Sequence, residues 1–269
     1  IHLRGAWDHD GLVVAIVGSR NVAADGCEMA RRMAADLARE GVAVVSGLAT
    51  GIDASAHQGA LDGGGRTGAV LGTPLDRCYP REHAALQHAV AASLGIMSEL
   101  PPGAHGTRGT FPTRNRIIAA LAHAVLVVQA GERSGALHTV EAAERLGRPV
   151  GAMPWHADDL YGALPHRLIR EHRAVLVRNA ADVLELLGER ALPGLLATHA
   201  DRRAGTGADD TSATARVLAG LSRRAEPLDV DAARATLGVA ETSAALMTLE
   251  LSGLVRREPG GRFRLARGA

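Results

Sequence analysis

The sequence contains no lysine: all 30 of its cationic residues are arginine. A GC-rich genome is the bland explanation, but the bias has chemical consequences. A Walker-type phosphate loop needs its lysine, and so does any Schiff-base mechanism, so both are excluded. Cysteine is also scarce. Cys27 and Cys78 provide neither a disulfide framework nor a metal-ligand spacing, and a reducing, cytoplasmic setting is expected. The 12 histidines are scattered without an H-E-x-x-H pair, so no metal and no cofactor is expected. No apolar run approaches the roughly 20 residues of a membrane span, and residues 1–6 lack a basic-then-apolar signal pattern. No membrane association is expected. The chain opens on Ile1 rather than Met, from which a missing upstream piece is expected. The net charge of +1 gives no global electrostatic argument for nucleic acid.

The 269 residues are enough for one large α/β domain and a small second one. The first two-thirds alternates short apolar runs with helical stretches, the pattern of a mostly parallel sheet with helices on both faces. Residues 12–17 read as a buried strand that breaks at Gly18-Ser19-Arg20. A helix over 23–40 is closed by Gly41, and a second strand over 42–45 ends at Ser46-Gly47. Further strands are predicted at 68–71, 95–97, 125–128 and 149–152, with a strand–helix pair over 174–187. Residues 1–188 form this domain, and 189–213 read as a linker. Over 214–269, three helical stretches precede a hairpin turning at Pro259-Gly260-Gly261, the order of a small winged-helix domain.

Open α/β sheets bind ligands at strand ends, where loops expose backbone N–H groups and helix N-termini. The loop after the first strand carries Ser19 and Arg20, and the loop after the second carries Ser46, Gly47 and a run to Asp53. Both suit an anion, although neither is a dinucleotide fingerprint. One such loop would be read as a mere turn; two in one sheet favour phosphate. A third element lies between Glu99 and Glu132, where there is no acid but Arg108, Arg114 and Arg116 accompany Phe111, one of six aromatics. Base–aromatic stacking is worth about 1–3 kcal/mol per base, and guanidinium pairs with phosphate. On chemistry alone, a single-strand site and a core phenylalanine beside surface arginines stand as equal alternatives. A fourth element, residues 131–139, opens a helix and offers another anion-friendly N-terminus or only a cap. Ser46, Asp53 and His57 could be written as a triad, but no G-x-S-x-G elbow surrounds Ser46. The Asp53–His57 spacing is that of a structural hydrogen bond or cap.

Together the segments AIVGSR (15–20), SGLATGID (46–53) with Ala56-His57, GGGRTGAVLGTPLD (63–76) with Tyr79-Pro80, Ser98-Glu99, FPTRNRIIA (111–119) and SGALHT (134–139) resemble the DNA processing protein A (DprA/Smf) family. The match runs in register from about residue 12 to 180. The resemblance implies an extended Rossmann-like fold and a protein that is not an enzyme. It implies single-stranded DNA as ligand, RecA recombinase as partner in natural transformation, and a homodimer. Positions matching the family's DNA pocket are Arg20, Ser46, Gly47, Phe111, Arg114 and Asn115, with Arg108 at a basic position before the aromatic. Arg114→Ala is accordingly expected to weaken oligo-dT binding and to flatten its salt dependence. Departures from the family pattern are Gln129, Trp155 and His172, the last within 162–177, near the part the family uses to dimerise. A nucleotide phosphoribohydrolase using the same loops is the enzymatic alternative, and the Pro-Gly-Gly-x-Gly-Thr segment of such enzymes is not reproduced at residues 134–139. A transcription regulator acting through the winged helix is the third reading.

Overall fold

The computed structural model describes residues 1–107 and 109–188, then Val217, parts of 242–250, and 255–258 and 262–265. The strands of the first unit are β1 (His2–Arg4), β2 (Val13–Val17), β3 (Ala43–Ser46), β4 (Thr67–Leu71), β5 (Gly95–Ser98), β6 (Ala124–Val127), β7 (Val150–Ala152) and β8 (Val175–Leu176). Its helices are α1 (Ala24–Arg39), α2 (Ile52–Asp62), α3 (Ala84–Ser93), α4 (Thr110–Leu121), α5 (Ala136–Arg145), α6 (Ala163–Arg170) and α7 (Ala180–Gly188). The eight strands form one sheet in the order β1-β5-β4-β3-β2-β6-β7-β8. Every pairing is parallel except that of β1, which runs antiparallel along β5 with His2 opposite Ser98. The predicted extended Rossmann-like sheet is therefore present, and β1 is an edge strand that the apolar pattern did not announce.

Period-2 alternation divides β2 between two cores. Val13, Ala15 and Val17 of β2 join one cluster with Ile117, Ile118, Val140 and Leu164 of α4, α5 and α6. Val14 and Ile16 join the opposite cluster with α1, α2 and α7. On α1 the buried set Ala30, Met33, Ala34, Leu37 and Ala38 repeats at i, i+3, i+4, i+7 and i+8, a single apolar stripe. Fully burying a side chain such as Ile16 contributes about 1.5–3 kcal/mol, so both faces stabilise the sheet. The chain reverses at Gly41, whose φ of 75° suits glycine just beyond the helix end.

The two tryptophans sit on opposite sides of the strand order. The Trp7 ring lies against Gly68 of β4 and Gly95 of β5. Trp155, following β7, donates its indole N–H to the carbonyl of Val128 at 2.6 Å.

Strands β2 to β5 extend one way from β2, while β6 and β7 extend the other. The direction of winding reverses between β2 and β6, and the crevice outside their carboxyl ends is where such sheets take ligands.

Compact units are found at Ile1–His199 and Ala200–Ala269. In the second, β9 (Val255–Glu258) pairs antiparallel with β10 (Arg262–Leu265), which is the predicted hairpin. The predicted linker and the predicted helices at 214–223 and 230–237 lie outside the described residues, apart from the helical Val217. No helix among the described residues is long and apolar enough to cross a membrane.

Candidate functional site

A cavity of about 570 Å³ opens at the reversal point between β2 and β6. Because the strands are parallel, the loops after β2, β3, β4 and β6 emerge on one edge of the sheet. Ser19, Arg20, Asp53, Phe111, Asn115 and Ser134 contribute to its wall.

The third element is helical over most of its site residues. Thr110–Leu121 forms α4, with Pro112 in its first turn, where an N–H would be unpaired anyway. Helical geometry then sorts the side chains. Phe111, Arg114 and Asn115 stand at i, i+3 and i+4 on one face and line the cavity. Arg116, at i+5, falls about 140° round the helix. It pairs instead with Glu99, the acid just outside the acid-free stretch. Arg108 lies outside the described residues.

Arg114 does different work from that expected of a surface cation. Its side chain is buried; Nη1 donates to the carbonyl of Gly47 at 2.9 Å and also to that of Val70. Nε donates to Asn115 Oδ1 at 3.1 Å. The guanidinium thus ties the carboxyl ends of β3 and β4 to α4. Gly47 permits this approach, since a Cβ there would fall 2.5 Å from Nη2. Burial pushes the Arg114 pKa down to about 10, against the upward pull of Asp53.

Arg20, by contrast, is exposed and makes no hydrogen bond or ion pair among the described residues. Its guanidinium rests 4.9 Å from the centroid of the Phe111 ring. Cation–π attraction at such a site is worth about 0.5–1 kcal/mol, enough to bias its direction while leaving its donors available.

The Ser19 hydroxyl donates to Ser134 Oγ at 3.2 Å and accepts from the Gly131 N–H at 3.3 Å. Ser134 Oγ accepts from the Ala136 N–H, at the start of α5. Asn115 Nδ2 donates to the Gly135 carbonyl at 3.2 Å. The loops after β2 and β6 and helix α4 are therefore cross-linked around the N-terminus of α5, whose positive end faces the cavity region.

Ser46 is fully buried and donates to the Ile16 carbonyl at 2.6 Å. His57 Nδ1 meets Thr67 Oγ1 at 2.7 Å, and that hydroxyl donates to the Val44 carbonyl. Nδ1 therefore carries the proton, and the buried Nε2 has no hydrogen-bond partner among the described residues. Burial depresses the His57 pKa to about 3. Burial also raises the Asp53 carboxyl above its ordinary value, opposed by Arg114, Ser46, the Ala49 N–H and Arg20. Among the described residues no hydrogen bond joins His57 to Ser46 or to Asp53, so the triad is not assembled. No group of three or more potential metal ligands occurs among the described residues.

Tyr79 was not singled out as a site residue. It lines the cavity, with its ring centroid 5.5 Å from that of Phe111. The available signal was an aromatic before proline in the loop after β4, in a chain with six aromatics.

The family described as DNA recombination-mediator protein A matches residues 1–188, and the DprA winged helix domain matches residues 201–261. Protein Smf of Synechocystis is 36% identical over 281 residues, covering 93% of this chain and 69% of that protein. The chain is 41% identical over 255 residues to relatives from Mycobacterium tuberculosis, of whose length it spans 64%. Among solved structures, DNA processing protein A of Streptococcus pneumoniae superposes with a TM-score of 0.64 at 39% identity, covering 68% of this chain and 64% of that one. The Helicobacter pylori protein, whose structure is described as giving insight into a single-stranded DNA binding mode, superposes with a TM-score of 0.63 at 26% identity. It covers 70% of this chain and 86% of that one. The small second unit carries the winged-helix match and the β9–β10 hairpin.

Proposed function

The chain belongs to the DNA recombination-mediator protein A family, and from that premise we propose that it binds single-stranded DNA in the cavity between β2 and β6. The observation that carries this reading is Arg20: an exposed guanidinium without an ion pair among the described residues, held over an aromatic ring at the mouth of a helix N-terminus. Arg20 and the backbone near Gly135 take a phosphate, and Ser19 joins them only by giving up its hydrogen bond to Ser134. Phe111 and Asn115 form the wall against which a nucleotide lies. Ser46, Gly47 and Arg114 set the shape of that wall from behind. Arg116 and Arg108 belong to the same arginine-rich stretch, and Arg116 reaches the strand only by leaving Glu99.

The reading is one of binding rather than catalysis, supported by the commitment of Ser46 and His57 to structural hydrogen bonds. Its biological extension is a cytoplasmic homodimer that protects incoming strands and helps load RecA recombinase during natural transformation. That extension rests on family membership. The division into a domain over 1–188, a linker over 189–213 and a winged-helix domain over 214–269 is proposed with it.

The test is oligo-dT binding at two salt concentrations for wild type, Arg20→Ala and Arg114→Ala. Arg20→Ala weakens binding and reduces the log–log salt slope by about 0.7, the share of one neutralised phosphate. Arg114→Ala weakens binding with the slope unchanged, because its donors serve backbone carbonyls; a flattened slope would return it to the phosphate. Wild-type affinity in both variants removes the proposed site. Release of free base from a nucleoside monophosphate would favour the phosphoribohydrolase alternative.

A further inference from the structure

The ring of Phe111 is partly covered by its own neighbours. Arg20 lies over it, and a Cβ added at Gly72 would fall 2.7 Å from its Cδ1, so the Gly72 backbone also abuts the ring. Tyr79 is the outward member of this cluster. It is 56% exposed, tilted 53° to Phe111, and its hydroxyl has no hydrogen bond among the described residues. A flat, solvated ring fixed at one edge by a packed neighbour is preorganised for stacking, because little side-chain freedom remains to be lost.

A second cavity of about 190 Å³ adjoins the first. The two share Arg20, Ala49, Tyr79 and Phe111, so the aromatic pair is the ridge between them. The remainder of the second wall includes Gly47, Thr50, Leu71, Thr73, Pro80 and Glu82. A carboxylate in that wall, with no arginine other than the shared Arg20, disfavours phosphate. Apolar surface with hydroxyls and an acceptor suits a nucleobase.

We propose that Tyr79 is a second base-stacking platform and that the smaller cavity receives the neighbouring base, so the site holds two consecutive nucleotides astride the ridge. The proposal rests on the single-stranded DNA reading above. Tyr79 contributes a ring and no charge, so it acts on bases and leaves phosphate contacts untouched.

The test compares oligo-dT with an abasic strand of the same length, at two salt concentrations, for wild type, Tyr79→Ala, Tyr79→Phe, Phe111→Ala and Arg20→Ala. Tyr79→Ala lowers affinity for oligo-dT by about five- to 150-fold, the worth of one stacked base. Its salt slope stays that of wild type, and its affinity for the abasic strand is unchanged. Tyr79→Phe, which keeps the ring, recovers most of the loss. Wild-type binding of oligo-dT by Tyr79→Ala overturns the proposal, as does an equal loss on both strands. If Arg20→Ala and Phe111→Ala weaken binding while Tyr79→Ala does not, only the second platform falls. If all three bind as wild type, the single-strand site falls with it.

Discussion

His57 shows how far one residue can couple this fold to pH. Its Nε2 is buried without an acceptor among the described residues, so protonation would place a second N–H there with none of them to receive it. The folded pKa is about 3, against an ordinary value of 6.5. Between those values the unfolded chain binds a proton that the folded chain refuses. Stability from this group is therefore complete above about pH 6.5 and falls by about 1.4 kcal/mol per unit on acidification. Asp53 has the opposite sign: its raised pKa lets the folded state take a proton first, which offsets the loss once pH approaches that pKa. Denaturant unfolding at pH 7 and pH 5 should cost wild type about 2 kcal/mol more than it costs His57→Gln. Equal losses in both proteins would assign the acid sensitivity elsewhere. Arg114 carries a different lesson at this scale. Read along the chain, an arginine in an acid-free stretch looks like a free cation. Only the meeting of β3, β4 and α4 reveals two backbone carbonyls waiting for its guanidinium.

At the scale of elements, the site depends on how closely the β2 loop approaches α2. Gly51 precedes α2 at φ 75° and ψ −125°, a region open essentially to glycine. A Cβ there would lie 2.5 Å from the Ser19 carbonyl oxygen, which accepts from the Ile52 N–H at 3.3 Å. Gly51→Ala should therefore destabilise the domain by about 1–3 kcal/mol and weaken oligo-dT binding by displacing Ser19 and Arg20. A melting curve and binding isotherm matching wild type would show that the loop yields without cost. Helical and strand periodicity made most elements legible in the sequence, including α1 with its stripe and the strands that carry the loops. The start of α4 was harder to read, because Phe111-Pro112-Thr113 has the turn-like look of a loop and no apolar repeat until Ile117. Its helical winding is what separates Arg116 from the residues beside it in sequence. Acid counting sets Glu99 at the border of the stretch but cannot pair it with Arg116, which is 17 residues away along the chain and adjacent in space.

For the whole molecule, alternation of strand and helix was enough to predict a parallel sheet, and the loops named in advance do lie on one edge of it. Strand order was not legible, since nothing local to β6 says that it pairs with β2 rather than β5. That order creates the crevice, so the cavity could be anticipated only as a set of loops. β1 was missed because three residues, His2, Leu3 and Arg4, are too few for a period. The placement of the two tryptophans gives the sheet a pair of built-in optical reporters. Trp7 sits with β4 and β5, Trp155 follows β7, and residues 156–269 contain no tryptophan. Intrinsic emission therefore follows the two flanks of the sheet and is blind to the winged-helix unit. In Trp7→Phe and Trp155→Phe proteins, each of which keeps one reporter, the emission midpoint is expected to coincide with the far-UV circular dichroism midpoint of the same protein if the sheet melts as one cooperative body. A displaced midpoint in either would show the flank carrying β1 and the flank carrying β8 letting go separately.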